Sequence, residues 1–351
     1  MSKIDQLRVV LATPLAEKLC KYIETLEPRV KIVREHSLLP TMRWAADHSE
    51  HKGFSRNPAQ QQIFEEMLNS ADALLGIPDG DPKFLARIVC SNPHLKWVHT
   101  MAAGGGEQVK VASLTSEELE RVKFTTSVGV HGAPLAEFAV FGVLAGAKSL
   151  PRLQEQKENH EWSGRWCMKQ LSEMTIGVLG LGNIGKQITT RLAALGANVI
   201  GINRPISDFP ELIESLPPSD LISVVSRLDA LVVALPGTEA TRSLVNAEVF
   251  SAVRPGITIV NVGRGTVIDE IALVSALKDE RVGFAALDVF ETEPLPFESP
   301  LWTHPNVLIS PHTAALNQTE DKKIAELFAR NAALFLDDKP MVNVVDTVEF
   351  F

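Results

Sequence analysis

Short apolar runs alternate along this chain with stretches of helical period, the pattern of layered parallel α/β structure. In the first third the runs are RVVLA (8–12), VKIVRE (30–35), ALLGI (73–77), LKWVHT (95–100) and FTTSV (124–128). A second series follows: TIGVLG (175–180), ANVIGIN (197–203), ALVVAL (230–235), TIVNVG (258–263), FAALDV (284–289) and VLIS (307–310). Each run predicts a buried strand. In NIGKQITTRLAALG, Ile184, Ile188, Leu192 and Leu195 fall on one helical face, and Gly196 suits the helix end. Between the two series lies GAPLAEFAVFGVLAGAKSLPRL, apolar on most sides, with Pro134 near its start and Pro151 after its end. It predicts a long buried helix linking two lobes. TEDKKIAELFARNAALFLDDKPMVNVVD predicts a second long helix that returns to the first lobe. The segment 40–70 stands apart as an insert between strands, with a loop in its first half and a helix in its second.

The expected fold is therefore α/β, with each lobe a parallel sheet flanked by helices. Residues 1–129 and 317–351 form one domain, and 130–316 form the other. A length of 351 residues suffices for two ordinary domains. Formal net charge is -9, which argues against nucleic acid or an anionic membrane as partner and leaves room for a locally positive pocket. Cys20, Cys90 and Cys167 are odd in number and lack metal-ligand spacing, so they read as free thiols in a reducing cytoplasmic setting, with no metal site expected. The opening MSKIDQLRVVLATPL reads as a first strand, not as a signal peptide or membrane span.

The segment VLGLGNIG places Gly180, Gly182 and Gly185 in the G-x-G-x-x-G spacing, after an apolar run and at the start of a helical stretch. That context is what a dinucleotide turn requires. The first glycine makes the tight bend, the second admits a pyrophosphate, and the third lets helix pack on strand. The phosphates then meet the helix N-terminus. The next run should end in an acid gripping the adenosine ribose. Here GINRP offers Asn203 and Arg204 and no carboxylate. A guanidinium can pair with a 2′-phosphate, so NADP(H) is favoured over NAD(H).

Three further strand ends carry complementary chemistry. Arg264 stands between two glycines in NVGRGTVID, Asp288 and Glu293 lie in ALDVFETEP, and His312 follows the last run in ISPHTAAL. Ligands of open α/β sheets bind outside the carboxyl ends of the strands. Arg264 can clamp a carboxylate and polarise a carbonyl. His312 can supply a proton near neutral pH, and Glu293 can orient and charge it. Together they suit hydride transfer between a nicotinamide and a 2-oxo acid. Taken singly, each has a plainer reading: a surface ion pair for Arg264, backbone bonding for Asp288, loop charge for Glu293, a satisfied loop imidazole for His312.

VLGLGNIG, ALPGTEATRSLVN, NVGRGTVIDE, ALDVFETEPLP and SPHTAALN stand in the order found in the D-isomer-specific 2-hydroxyacid dehydrogenases, and from about Trp97 to Asp346 the chain resembles that family. The resemblance implies two flavodoxin/Rossmann-like lobes with a cleft between them, and a homodimer whose contact is built largely on the helix after Pro134. It implies that Arg264 binds substrate, that His312 is the acid/base and that Glu293 is its partner. It places the cofactor against Gly180, Gly182, Asn183, Ile184, Gly185, Asn203, Arg204, Leu235, Pro236, Thr241, Val262 and Asp288, the last at the nicotinamide end. It matches HTMAAGGGEQV (99–109) to a substrate loop in which Ala103, Gly104 and Gly105 meet the substrate carboxylate alongside Arg264 and His312. The insert 40–70, longer than in most relatives, is expected to cap the cleft or touch a neighbouring subunit. Formate dehydrogenases of similar fold carry Gln where this chain has Glu293, whereas phosphite dehydrogenases keep the Glu. The expected activity is NAD(P)-dependent reduction of a small 2-oxo acid such as glyoxylate, hydroxypyruvate or a larger analogue. The alternative is a non-catalytic dinucleotide sensor on the same fold.

Overall fold

The structure is a computed structural model that describes residues 6–48, 53–204, 208–348 and 350. The chain divides into two compact units, one comprising Met1–His131 and Leu316–Phe351, the other Gly132–Ala315.

The first unit is built on β1 (Leu7–Leu11), β2 (Val30–Val33), β3 (Ala73–Leu75), β4 (Trp97–His99) and β5 (Lys123–Thr125). They pair in the order β2-β1-β3-β4-β5, and every pairing is parallel. Strands β3 and β4 are buried throughout; β3 appears in the sequence as an uninterrupted apolar run, while β4 ends in His99. Edge strand β2 alternates between buried and open positions. The helix Glu320–Leu336 closes this unit: Phe328 stacks on Trp97 with ring centroids 4.6 Å apart, and Phe335 lies 5.8 Å from the same indole.

The second unit carries β6 (Thr175–Leu179), β7 (Asn198–Ile202), β8 (Glu214–Leu216), β9 (Ala230–Val233), β10 (Ile257–Asn261), β11 (Val282–Leu287) and β12 (Val307–Ile309). The order is β12-β11-β10-β9-β6-β7-β8, again parallel throughout. Chain direction across the sheet reverses between β6 and β9, the place where such sheets open a crevice at their carboxyl ends. Apolar side chains fill both faces of this sheet.

Several expectations need correction. The long buried linker helix is present as Gly132–Ala147, with Pro151 beyond its end, but the segment also holds a second helix that was not anticipated. This second helix, Leu150–Glu158, is bent from the first by 66°, with Ser149 at φ +54 between them. Pro151 falls in the first turn of the second helix, where its missing N–H costs nothing. Leu195 is 49% exposed, because the helix Asn183–Ala194 has already ended; Ile188 and Leu192 are fully buried, and Gly196 takes φ +88 just beyond. Strand β8 was not anticipated. In the insert the helix Pro58–Asn69 begins at a reciprocal cap between Asn57 and Gln60, while residues 49–52 lie outside the described residues. Among the described residues no single helix is long and apolar enough to cross a membrane. Cys20, Cys90 and Cys167 are unbridged, and burial pushes the Cys20 thiol up to about 12.

Candidate active site

Every predicted site residue of the second unit follows the carboxyl end of a strand. The glycine turn follows β6, Asn203 and Arg204 follow β7, and Leu235 and Pro236 follow β9. Arg264 follows β10, Asp288 and Glu293 follow β11, and His312 follows β12. Strands β10, β11 and β12 are adjacent, so at about 4.8 Å per strand the three chemical groups issue from a span of roughly 10 Å.

The three glycines of the turn differ in kind. Gly180 has φ +99, which only glycine adopts cheaply. A Cβ on Gly185 would lie 1.8 Å from the Gly180 carbonyl oxygen, so the bare Cα is what lets the helix sit on the turn. A Cβ on Gly182 would meet nothing within 4 Å. Gly182 caps the helix Asn183–Ala194 without any side-chain acceptor, and the first turn holds no acid. The N–H groups there are left to an external anion, which fits a dinucleotide pyrophosphate. Asn183 is exposed and its Oδ1 accepts from Gln187, while Ile184 is half-buried and packs on the sheet. Asn203 Oδ1 accepts from the Leu181 amide at 3.0 Å, so this side chain braces the glycine turn. Arg204 is exposed, and 205–207 lie outside the described residues. Thr241 closes the 236–241 turn, accepting from the Thr238 amide and donating to the Pro236 carbonyl. Val262 is buried and its amide donates to the Val233 carbonyl, which leaves its side chain in the core.

Arg264 is carried by a turn wedged between two neighbours. A Cβ on Gly263 would come within 2.4 Å of the Leu235 carbonyl oxygen, and one on Gly265 within 1.9 Å of the Phe290 carbonyl carbon. Both glycines thus bring the turn against the Leu235 and Phe290 backbones. Buried Asn261 ties the turn from inside, accepting from Gly263 N and donating to Arg264 O, each at 3.0 Å. The guanidinium itself is exposed and donates within the turn to Gly263 O.

His312 Nδ1 stands 2.7 Å from Glu293 Oε2, and Glu293 Oε1 accepts from the Phe290 amide at 3.0 Å. The carboxylate is therefore held by its own loop while it orients the imidazole. Among the described residues no partner bonds Nε2, and the His312 side chain is 46% exposed. At that exposure the ion pair is worth about 0.2–1 kcal/mol, so its effect is on orientation rather than stability. Asp288 does not lie within β11 as expected but just past it, 1% exposed. Its Oδ1 accepts from the Ser310 hydroxyl at 2.5 Å and from the Thr313 and Ala314 amides at 3.0 Å. Sequence reasoning missed Ser310 and Asn261. Asn261, two residues before a glycine, carries an Asx-turn signal that could have been read; Ser310 carries none.

Ala103, Gly104 and Gly105 lie in the first unit, beyond β4, at the start of the short helix Gly105–Val111. Gly105 is buried against Thr100, whose hydroxyl donates to Ala102 O. Below them His99 is fully buried and its Nδ1 pairs with the Thr125 hydroxyl, which itself accepts from Trp97 Nε1; its other nitrogen meets Ser127. Desolvation holds His99 down to about 3, so it stays neutral.

The profile of the D-isomer specific 2-hydroxyacid dehydrogenase NAD binding domain matches residues 140–314. The chain is 29% identical to a glyoxylate reductase from Thermofilum pendens over 300 residues, covering 84% of this chain and 86% of that one. It is 32% identical over 250 residues to a D-3-phosphoglycerate dehydrogenase from Mycobacterium tuberculosis, 69% of this chain, and spans only 46% of that longer protein. Among solved structures, a D-isomer specific 2-hydroxyacid dehydrogenase from Xanthobacter autotrophicus Py2, crystallised with NADPH and MES, superposes with TM-score 0.78 at 27% identity, covering 99% of this chain and all of that one. The chain belongs to the D-isomer-specific 2-hydroxyacid dehydrogenases, NAD(P)-dependent oxidoreductases acting on CH–OH groups.

Proposed function

We propose that this protein interconverts a small 2-oxo acid and its D-2-hydroxy acid, with NADP(H) favoured over NAD(H), in the manner of a glyoxylate or hydroxypyruvate reductase. The observation that carries the reading is the 2.7 Å pairing of His312 Nδ1 with Glu293, with Nε2 unbonded among the described residues. When bound, the nicotinamide supplies the hydride. His312 holds a proton at Nε2 and delivers it to the oxygen of the reacting carbonyl, and in the opposite direction it removes that proton. Glu293 fixes the orientation of the ring during transfer. Arg264 holds the substrate carboxylate through a forked pair of hydrogen bonds. The glycine turn takes the pyrophosphate, and Arg204 takes the 2′-phosphate, since neither it nor Asn203 presents a negative charge there. The NADPH found in the Xanthobacter relative supports the cofactor choice, and the Thermofilum glyoxylate reductase supports the substrate class.

The test is a steady-state assay of nicotinamide oxidation with glyoxylate and hydroxypyruvate, run with NADPH and with NADH. Turnover with a higher kcat/KM for NADPH supports the proposal; bound cofactor without turnover across a panel of 2-oxo acids overturns it. The non-catalytic reading has no observation in its favour. We further propose a cytoplasmic homodimer, supported by exposed Phe141 and Leu195 beside Val140 and Leu144 on the apolar helix face. Sedimentation of the Phe141→Glu variant as a monomer, against a dimeric parent, tests it.

A further inference from the structure

We propose that Ser310 is a positioning residue for His312, acting through Asp288; the inference rests on the catalytic reading above. Only Ser310 and Pro311 separate the end of β12 from His312. One acidic residue grips this turn on both sides of the histidine. Asp288 Oδ1 takes the Ser310 hydroxyl before it and the Thr313 and Ala314 amides after it. The Asp288 carbonyl takes the His312 amide at 2.9 Å. Residue 311, being proline, has no N–H to add to that row of donors. The Ser310 hydroxyl supplies a donor on that side instead, and at 2.5 Å it is the closest of the three to Oδ1.

The need for such a grip is visible at His312 itself. Its φ is +53, a left-handed conformation that a non-glycine residue keeps only where surroundings impose it. Ser310 is 7% exposed and Asp288 1%, so water does not replace a lost hydroxyl easily. Without that donor the turn is held to Asp288 chiefly from its far side. The imidazole then loses its fixed distance from Glu293, and with it the aim of Nε2. Ser310 touches neither substrate nor cofactor in this account; it acts through the backbone of the residue that does.

The experiment compares Ser310→Ala and Ser310→Thr with the parent, using NADPH and glyoxylate. Ser310→Ala is expected to lower kcat by about 10- to 100-fold with NADPH affinity retained. Ser310→Thr, which keeps the hydroxyl, should recover most of the rate. Heteronuclear NMR of ring-labelled histidine reads the His312–Glu293 pairing without turnover: the Nδ1 resonance should move in Ser310→Ala and stay in Ser310→Thr. An unmoved resonance in the folded Ser310→Ala protein overturns the proposal, and so does a Thr variant as impaired as the Ala one. Inactivity of the parent itself, or an unimpaired His312→Gln variant, overturns the catalytic reading and is recognised separately, since the NMR comparison still decides whether Ser310 positions the ring.

Discussion

Gly185 faces the carbonyl oxygen of Gly180 so closely that a methyl group on it would sit 1.8 Å from that atom, whereas the same group on Gly182 would meet open space. The two glycines of one motif therefore answer to different constraints. Gly182→Ala is expected to leave thermal stability near that of the parent while weakening NADPH binding. Gly185→Ala is expected to destabilise by about 1–3 kcal/mol or more, as overpacking does. Thermal melts together with fluorescence titration of NADPH check both. A Gly182→Ala protein that binds NADPH like the parent would remove the pyrophosphate from that face.

His312→Ala should lower oxo-acid turnover by about 10²–10⁴-fold while cofactor binding persists. Glu293→Gln keeps a hydrogen-bond acceptor beside Nδ1 but removes the charge, so it should cost less in rate than His312→Ala. Steady-state kinetics read both variants. A near-normal rate in His312→Ala would take the imidazole out of the chemistry.

Arg204→Ala should weaken NADPH by roughly tenfold or more and NADH little, since a charge-assisted hydrogen bond to phosphate is at stake. Binding titrations with the two nucleotides separate the cases. Equal losses for both would refute the assignment of Arg204 to the 2′-phosphate.

His99 makes stability depend on pH with a definite sign. Its folded value, about 3, lies below the ordinary 6.5, so between those limits the unfolded chain binds the extra proton. Stability is then complete above about pH 6.5 and declines as pH falls toward about 3. At about pH 5 the loss from this one group is on the order of 2 kcal/mol. His99→Gln should flatten the difference in urea midpoints between about pH 7 and about pH 5. An unchanged difference would show that other groups govern acid sensitivity.

Thiol labelling offers a simple check on burial. Cys90 and Cys167 are exposed and should react in the native protein, while Cys20, buried and raised to about 12, should react only on unfolding. Rapid labelling of all three under native conditions would contradict the packing around Cys20.

The sequence reading located most strands because parallel strands buried on both faces leave continuous apolar runs, as in ALVV of β9 and ITIVN of β10. It overran their ends, since apolarity continues past the last ladder bond: Leu235 extends the β9 run although the strand stops at Val233. Strand β8 went unseen because ESL at the sheet edge is only half-buried and carries no pattern. The helix after Ser149 went unseen for another reason: Leu150–Glu158 is mostly polar and buries no residue, so Pro151 reads as a stop and not as a first turn. At the site, side chains whose chemistry is distinctive could be named from type and position alone. Those that work by holding others could not: Asn261, Ser310 and the bracing role of Asn203 depend on which backbone groups the fold brings near.

The inserted unit is one uninterrupted stretch, while the unit around it is split by that insertion. During synthesis, every strand of β6 to β12 is made, and emerges, ahead of the Phe328 and Phe335 that cover Trp97. The inner module can thus complete itself while the outer one still lacks a wall. On the nascent chain the order of maturation runs from the middle outward, and the indole of Trp97 is the natural clock for its final step.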